Sequence, residues 1–269
     1  MKQDARNLFD LALRRARLSA YPAGEFVGQE SFMRASEVLS LAEQAGIDAG
    51  VTVLDLCCGV AGPGLLIARE LHCRYVGVDC DPRAIRIARD RAAGLDCHFE
   101  ISHVPPVPPG PSEVVLLLET MLAFPDKETL LAEIASVLPV GGRFAFTFEE
   151  GQPLTEAERK TMPDADTVWL VPLAELLACL RRVGLRVRWR TECTDTHRLI
   201  VESLLDEFAA DAGDIGAQIG HPALADLMMA HRHWSDWFRS GRARKFAVVA
   251  EKTATTAHGS PVTGRHPLH

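Results

Sequence analysis

From Val51 to Glu251 short apolar runs alternate with amphipathic stretches of helical length, and that alternation leaves few folds open. Val51–Leu56, Tyr75–Val78, His98–Ile101, Val114–Leu118, Arg143–Phe148, Arg186–Arg190 and Lys245–Glu251 read as strands. Leu65–Leu71, Pro82–Ala93, Lys127–Leu138 and Leu173–Val183 read as the helices between them. The run Val114–Leu118 is wholly apolar, as a central parallel strand buried on both faces must be. Strands separated by helices build βαβ units. The expected fold is therefore α/β: a doubly wound, Rossmann-like, seven-stranded and mostly parallel sheet.

Two helical regions flank this pattern. Residues 1–50 read as an N-terminal helical segment, with Leu8, Leu11, Ala12 and Leu18 near helical spacing and a second apolar face at Phe32, Ala35, Val38, Leu39, Leu41 and Ala42. Residues 197–240 look wholly helical, giving an insertion over 197–241 before the last strand. The expected organisation is one domain over 1–252, with its cofactor half at 51–150, and a disordered polar tail at 253–269. Arg242, Arg244 and Lys245 read as a solvated entry to an edge strand.

In an open α/β sheet, ligands sit beyond the carboxyl ends of the strands. The first strand runs into Asp55-Leu-Cys-Cys-Gly-Val-Ala-Gly-Pro-Gly64, a turn whose glycines let backbone approach a ligand. The second ends in Gly77-Val-Asp79, twenty residues after Gly59, where a carboxylate accepts both ribose hydroxyls of a nucleoside. Turn and acid together indicate an adenosine ligand. A dinucleotide site needs GxGxxG, whereas the chain reads Gly59-Val-Ala-Gly-Pro-Gly64, with Ala61 where the pyrophosphate needs glycine. Asp55 would also repel a pyrophosphate and suits a cationic methionyl group. A nicotinamide-dependent oxidoreductase is thus disfavoured against a protein that uses S-adenosylmethionine.

These residues resemble the class I S-adenosylmethionine-dependent methyltransferases, in the branch that includes sterol, sarcosine/dimethylglycine and natural-product enzymes. The resemblance is carried by Asp55-Leu-Cys-Cys-Gly-Val-Ala-Gly-Pro63, by Val76-Gly-Val-Asp79, by Val115–Leu122 and by Leu138-Pro-Val-Gly-Gly142. It implies that Asp55 and the backbone at Cys57 and Gly59 bind the methionyl end, that Asp79 holds the ribose, and that Cys80 packs on the adenine. It also implies that Glu119 borders the transferable methyl and that Gln29 lies in a lid over the methionyl end. Cys57 and Ala61 replace glycines of the family pattern, and His103 stands where an acid commonly meets the adenine amine.

Composition narrows the acceptor. The 269-residue chain carries a formal charge of −7, which does not suit the neutralisation of nucleic-acid phosphates. No apolar run is long enough to span a membrane, and Met1–Arg17 lacks the apolar core of a signal peptide. The seven cysteines are odd in number and form no CxxC pair, and no HExxH occurs, so a reducing cytoplasm and no metal are expected. The expected function is methyl transfer to a small molecule by a cytoplasmic monomer or homodimer. The same fold used for isomerisation, cyclisation or binding is the alternative. A protic acceptor can require a base, and Glu119, His197 and His233 are the candidates. In His231-Arg-His-Trp-Ser-Asp-Trp237 a substrate pocket competes with an amphipathic helix that buries Trp234, Trp237 and Phe238 and exposes its histidines.

Overall fold

The computed structural model describes residues 11–254. The expectations for Leu8 and for the tail beyond residue 254 lie outside the described residues. Two helices, α1 (Leu11–Ala20) and α2 (Ala35–Gln44), precede the sheet. The βα alternation then follows as β1 (Thr52–Leu56), α3 (Gly62–Leu71), β2 (Arg74–Asp79), α4 (Pro82–Arg91), β3 (Cys97–Ile101), β4 (Val114–Leu117), α5 (Lys127–Val137) and β5 (Arg143–Gly151). The chain continues through α6 (Glu156–Thr161), α7 (Leu173–Arg182), β6 (Leu185–Glu192), α8 (Thr194–Ala210), α9 (Ala212–Ile219), α10 (His221–Ser240) and β7 (Ala243–Lys252).

The seven strands form one sheet in the order β3-β2-β1-β4-β5-β7-β6. β7 runs antiparallel to both of its neighbours, and the pairings of β1 with β2 and β4, of β2 with β3 and of β4 with β5 are parallel. Every residue of β4 is buried, as its unbroken apolar run requires. The two faces of the sheet carry separate cores. One holds Val53, Tyr75, Ala145 and Val249; the other holds Leu54, Phe144, Phe146, Phe148 and Val248. The strict alternation in Phe144-Ala-Phe-Thr-Phe148 sorts β5 between them.

The stretch 197–240 is helical, in three pieces divided at Asp211 and at Gly220, whose φ of +93° no helix accommodates. One expectation is corrected. Lys245 is not a solvated edge residue. β7 lies inside the sheet, and Lys245 is 0% exposed. Arg244 faces the other way and pairs with Glu150 (2.9 Å).

The start of β7 pairs with the carboxyl end of β5, Ala243 opposite Gly151, so the insertion α8–α10 returns to the sheet at its ligand-binding end. Alanine and tyrosine side chains of the N-terminal segment (Ala12, Ala16, Tyr21) pack there with Leu204 and Phe208 of α8. The two helical regions that flank the motifs in sequence thus join over one end of the sheet.

Candidate active site

At the carboxyl end of β1 the chain turns through two left-handed residues that are not glycine, Cys57 (φ +58°) and Ala61 (φ +56°). This conformation is costly for residues with a Cβ and persists where surrounding structure fixes it. The fixing contacts are visible. The Gly59 amide donates to Asp79 Oδ2 (2.8 Å), and the Asp81 amide donates to Asp79 Oδ1 (2.9 Å). One carboxylate at the tip of β2 thereby anchors the glycine turn and the start of α4. Each oxygen keeps a second acceptor position for a ligand hydroxyl.

Asp55 lies within β1 and is 3% exposed, with its Oδ2 accepting from the Tyr75 hydroxyl at 2.6 Å. Burial pushes its carboxyl up to about 7; the Tyr75 bond opposes that shift and the nearby Asp79 adds to it. Tyr75 reaches Asp55 by crossing Gly64, where a Cβ would stand 2.1 Å from the phenol oxygen. Gly64 is therefore glycine for clearance. Cys57 and Cys58 are free thiols, and burial raises that of Cys57 to about 12, so the pair is packing rather than redox chemistry.

Beyond β1 and β4 these residues border a cavity of about 300 Å³. Gln29, Asp55, Cys57, Gly59 and Glu119 all line it. Among the described residues no Lys, Arg or His lines it, whereas Glu30, Asp55 and Glu119 do. The wall is acidic. Gln29 is 4% exposed, and its amide is used by its own segment: Oε1 accepts from Val27 N (2.8 Å) and Nε2 donates to Met33 O (2.5 Å). It braces the segment 25–33 where that segment borders the cavity. Asp79 stands one hydrogen bond behind the cavity, through Gly59. Cys80 is exposed next to Asp79, and His103 is exposed in the loop after β3.

Glu119 follows β4 in the left-handed region, at φ +61°. Its amide donates to Thr147 Oγ1 (2.7 Å), and the Thr147 hydroxyl donates to Glu119 Oε1 (2.7 Å). Lys245 Nζ lies 2.6 Å from the same oxygen and also pairs with Glu149, its direct cross-strand partner. Burial disfavours the Glu119 carboxylate, but the Lys245 charge and the hydrogen bonds from Lys245 and Thr147 hold the carboxyl below its ordinary value. Glu149 moves the opposite way, since burial outweighs its share of Lys245. The network presents one ionised carboxylate to the cavity, supported from beneath by a buried ammonium.

His197 sits behind Glu119 and is 0% exposed, with Nδ1 3.9 Å from Glu119 Oε2 and Nε2 3.6 Å from Glu37 Oε2. The structure does not bring His233 to the cavity. Its Nε2 lies 3.1 Å from the Thr161 carbonyl, and its ring packs on Trp237. Trp234, Trp237 and Phe238 are core, but His231 is not a surface histidine. It packs edge-on to Phe32 and Phe208, and burial lowers its imidazole to about 4, so it is neutral. Sequence reasoning missed Thr147, Glu149 and Lys245. The period-two alternation that buries the β5 phenylalanines on one face puts Thr147 and Glu149 together on the other, and that signal was present.

Comparison with known proteins places the sequence among methyltransferase-like chains. Residues 53–142 match the family model described as a methyltransferase domain. The matched segment contains the glycine turn, Asp79 and Glu119. Over 111 residues the chain is 31% identical to methyltransferase GfsG of Streptomyces halstedii, covering 39% of this chain and 40% of that protein. Over 111 residues it is 34% identical to sterol 24-C-methyltransferase of Eremothecium gossypii, covering 39% of this chain and 30% of that protein. The chain therefore spans well under half the length of these relatives. The fold resemblance is wider: cyclopropane synthase MmaA2 of Mycobacterium tuberculosis superposes with a TM-score of 0.76 at 13% identity, covering 93% of this chain and 96% of that one.

Proposed function

We propose that this protein transfers the methyl group of S-adenosylmethionine to a small-molecule acceptor. The carrying observation is the acidic cavity at the ends of β1 and β4, with the Asp79 carboxylate hooked to the Gly59 amide at its edge. Asp79 is the ribose acceptor. Asp55 and the turn at Cys57 and Gly59 receive the methionyl end, Cys80 and His103 border the adenine, and Gln29 shapes the lid. An acidic wall attracts the sulfonium and ammonium of the donor and repels a pyrophosphate, which disfavours a nicotinamide cofactor.

Methyl transfer is an in-line displacement at carbon, so alignment and exclusion of water supply most of the acceleration, on the order of 7–11 kcal/mol. Glu119 is the acceptor-side carboxylate, available to take a proton from a hydroxyl or amine or to stabilise a developing cation. His197 acts through Glu119, being fully buried behind it. His233 has no part, since its ring is engaged at Thr161. The small size of the acceptor is supported by the helical roof of α1, α8 and α10 and by the net charge of −7. The name of one relative, sterol 24-C-methyltransferase, points the same way. No helix among the described residues is long and apolar enough to cross a membrane. The seven free cysteines support a reducing, cytoplasmic setting. Calorimetric titration with S-adenosylhomocysteine and separately with NAD tests the reading. Saturable binding of the first and none of the second is expected; the reverse overturns it.

A further inference from the structure

Cys193 closes β6 onto α8, and His197 lies one helical turn on, so their side chains share a face. Glu37 of α2 meets them from the other side. One ligand atom from each of Glu37, Cys193 and His197 lies within 4.8 Å of the other two. Two of the three are enclosed, Cys193 at 9% and His197 at 0% exposure. Both ring nitrogens of His197 lack a hydrogen-bond partner. A buried imidazole with neither nitrogen satisfied is costly, because buried polar groups are ordinarily hydrogen-bonded. Its nitrogens face the carboxylates of Glu37 (3.6 Å) and Glu119 (3.9 Å), both beyond hydrogen-bond reach, so the imidazole has room to take a metal ion on its Glu37 side.

We propose that Glu37, Cys193 and His197 form a binding site for a divalent metal, with zinc the ion that fits it. A thiolate, an imidazole and a carboxylate are the donor set of a borderline-soft ion, and sulfur argues against magnesium or calcium. Bonds of about 2.0–2.3 Å place tetrahedral ligand atoms roughly 3.3–3.7 Å apart. The 3.6 Å between His197 Nε2 and Glu37 Oε2 already meets that spacing. Small rotations bring in Cys193, whose thiol now makes only a 3.6 Å contact to the Lys245 carbonyl.

The surroundings fit a metal-bound histidine. Such a histidine usually gives its other N–H to a carboxylate, which fixes the ring. Here the other nitrogen, Nδ1, faces Glu119 Oε2 at 3.9 Å. Charge also balances: zinc displaces the Cys193 proton to solvent, and the resulting thiolate with the Glu37 carboxylate neutralises the ion. The buried Lys245, paired with Glu119 and Glu149, is left unchanged. The site ties α2 to α8 and, through His197, orients the carboxylate that lines the cavity. Three protein ligands leave a fourth position open.

The proposal is independent of the methyl-donor reading and is tested without activity. The full chain is stripped with a chelator, mixed with equimolar zinc, desalted and assayed by mass spectrometry for metal. Cobalt(II) replaces zinc in a parallel sample for its thiolate charge-transfer absorption. About one zinc per chain and a cobalt–thiolate band are expected. Cys193→Ser should lose the band, and it and His197→Asn should lose the zinc; circular dichroism checks that each is folded. Asp79→Ala should keep the zinc, whatever it does to S-adenosylhomocysteine binding. Retention of less than roughly 0.1 zinc by the wild type, or full retention by folded Cys193→Ser, overturns the site.

Discussion

Lys245 Nζ lies 2.6 Å from Glu119 Oε1, so the carboxylate that lines the cavity is held by an ammonium with no exposure to solvent. Glu149 shares the same ammonium across the strand pair. Removing one partner of such a buried set leaves an uncompensated charge, at a cost of about 3–5 kcal/mol. Lys245→Met should lose that much unfolding free energy in urea denaturation. The triple change Lys245→Met, Glu119→Gln, Glu149→Gln should recover more than half of it. A loss below about 1 kcal/mol for Lys245→Met would mean that the charges are not coupled as described.

Gly64 gives way to the phenol of Tyr75, which passes over it to reach Asp55. Gly64→Ala places a methyl in that path and forces Tyr75 aside. Overpacking of this kind costs about 1–3 kcal/mol. The expected outcome is a lowered melting temperature together with weaker S-adenosylhomocysteine binding. Tyr75→Phe, which keeps the ring but removes the bond to Asp55, should weaken binding with a smaller loss of stability. Unchanged melting and binding in Gly64→Ala would contradict the packing described here.

Asp55 gives the protein a pH signature. Its carboxyl is pushed from an ordinary 3.8 up to about 7, chiefly by burial. Between those values the folded chain keeps a proton that the unfolded chain has lost. The associated stability is fully present below about pH 4 and is lost as pH rises through 7. A ligand ammonium favours the ionised form, so affinity for S-adenosylhomocysteine should rise by up to about tenfold per pH unit from pH 5 to 7 and then level off. Titration in two buffers of different ionisation enthalpy should show proton release on binding at pH 6. Flat affinity over this range would place Asp55 outside the site.

The sheet was legible because its information is local and periodic. The run at Val114–Leu118, the glycine turn after Val51–Leu56 and Pro82 after Asp81 each specify their element within a few residues. The cofactor face followed, since βα connections bring Asp55, Gly59 and Asp79 to one end of the sheet whatever the flanking segments do. Lys245 was misread for the same reason of locality. Next to Arg242 and Arg244 it looks like a solvated run, and only the strand order puts β7 between β5 and β6 and turns Lys245 inward. His197 and His233 were equivalent in sequence. Their separation depends on the breaks at Asp211 and Gly220, which set how three helices cross rather than how one continues. Glu37 was read only as part of an N-terminal helical segment, because its partners Thr196 and His197 are more than 150 residues away.

The central claim is that the Asp79 carboxylate, joined to the glycine turn, receives the ribose of S-adenosylmethionine. Isothermal titration of S-adenosylhomocysteine into the wild type and into Asp79→Ala tests it most directly. Loss of hydrogen bonds to a charged acceptor costs about 1.5–3 kcal/mol each, so the variant should bind at least roughly tenfold more weakly, with its circular dichroism unchanged. Asp79→Asn, which keeps one acceptor oxygen, should fall between the two. Equal dissociation constants for wild type and Asp79→Ala would contradict the assignment.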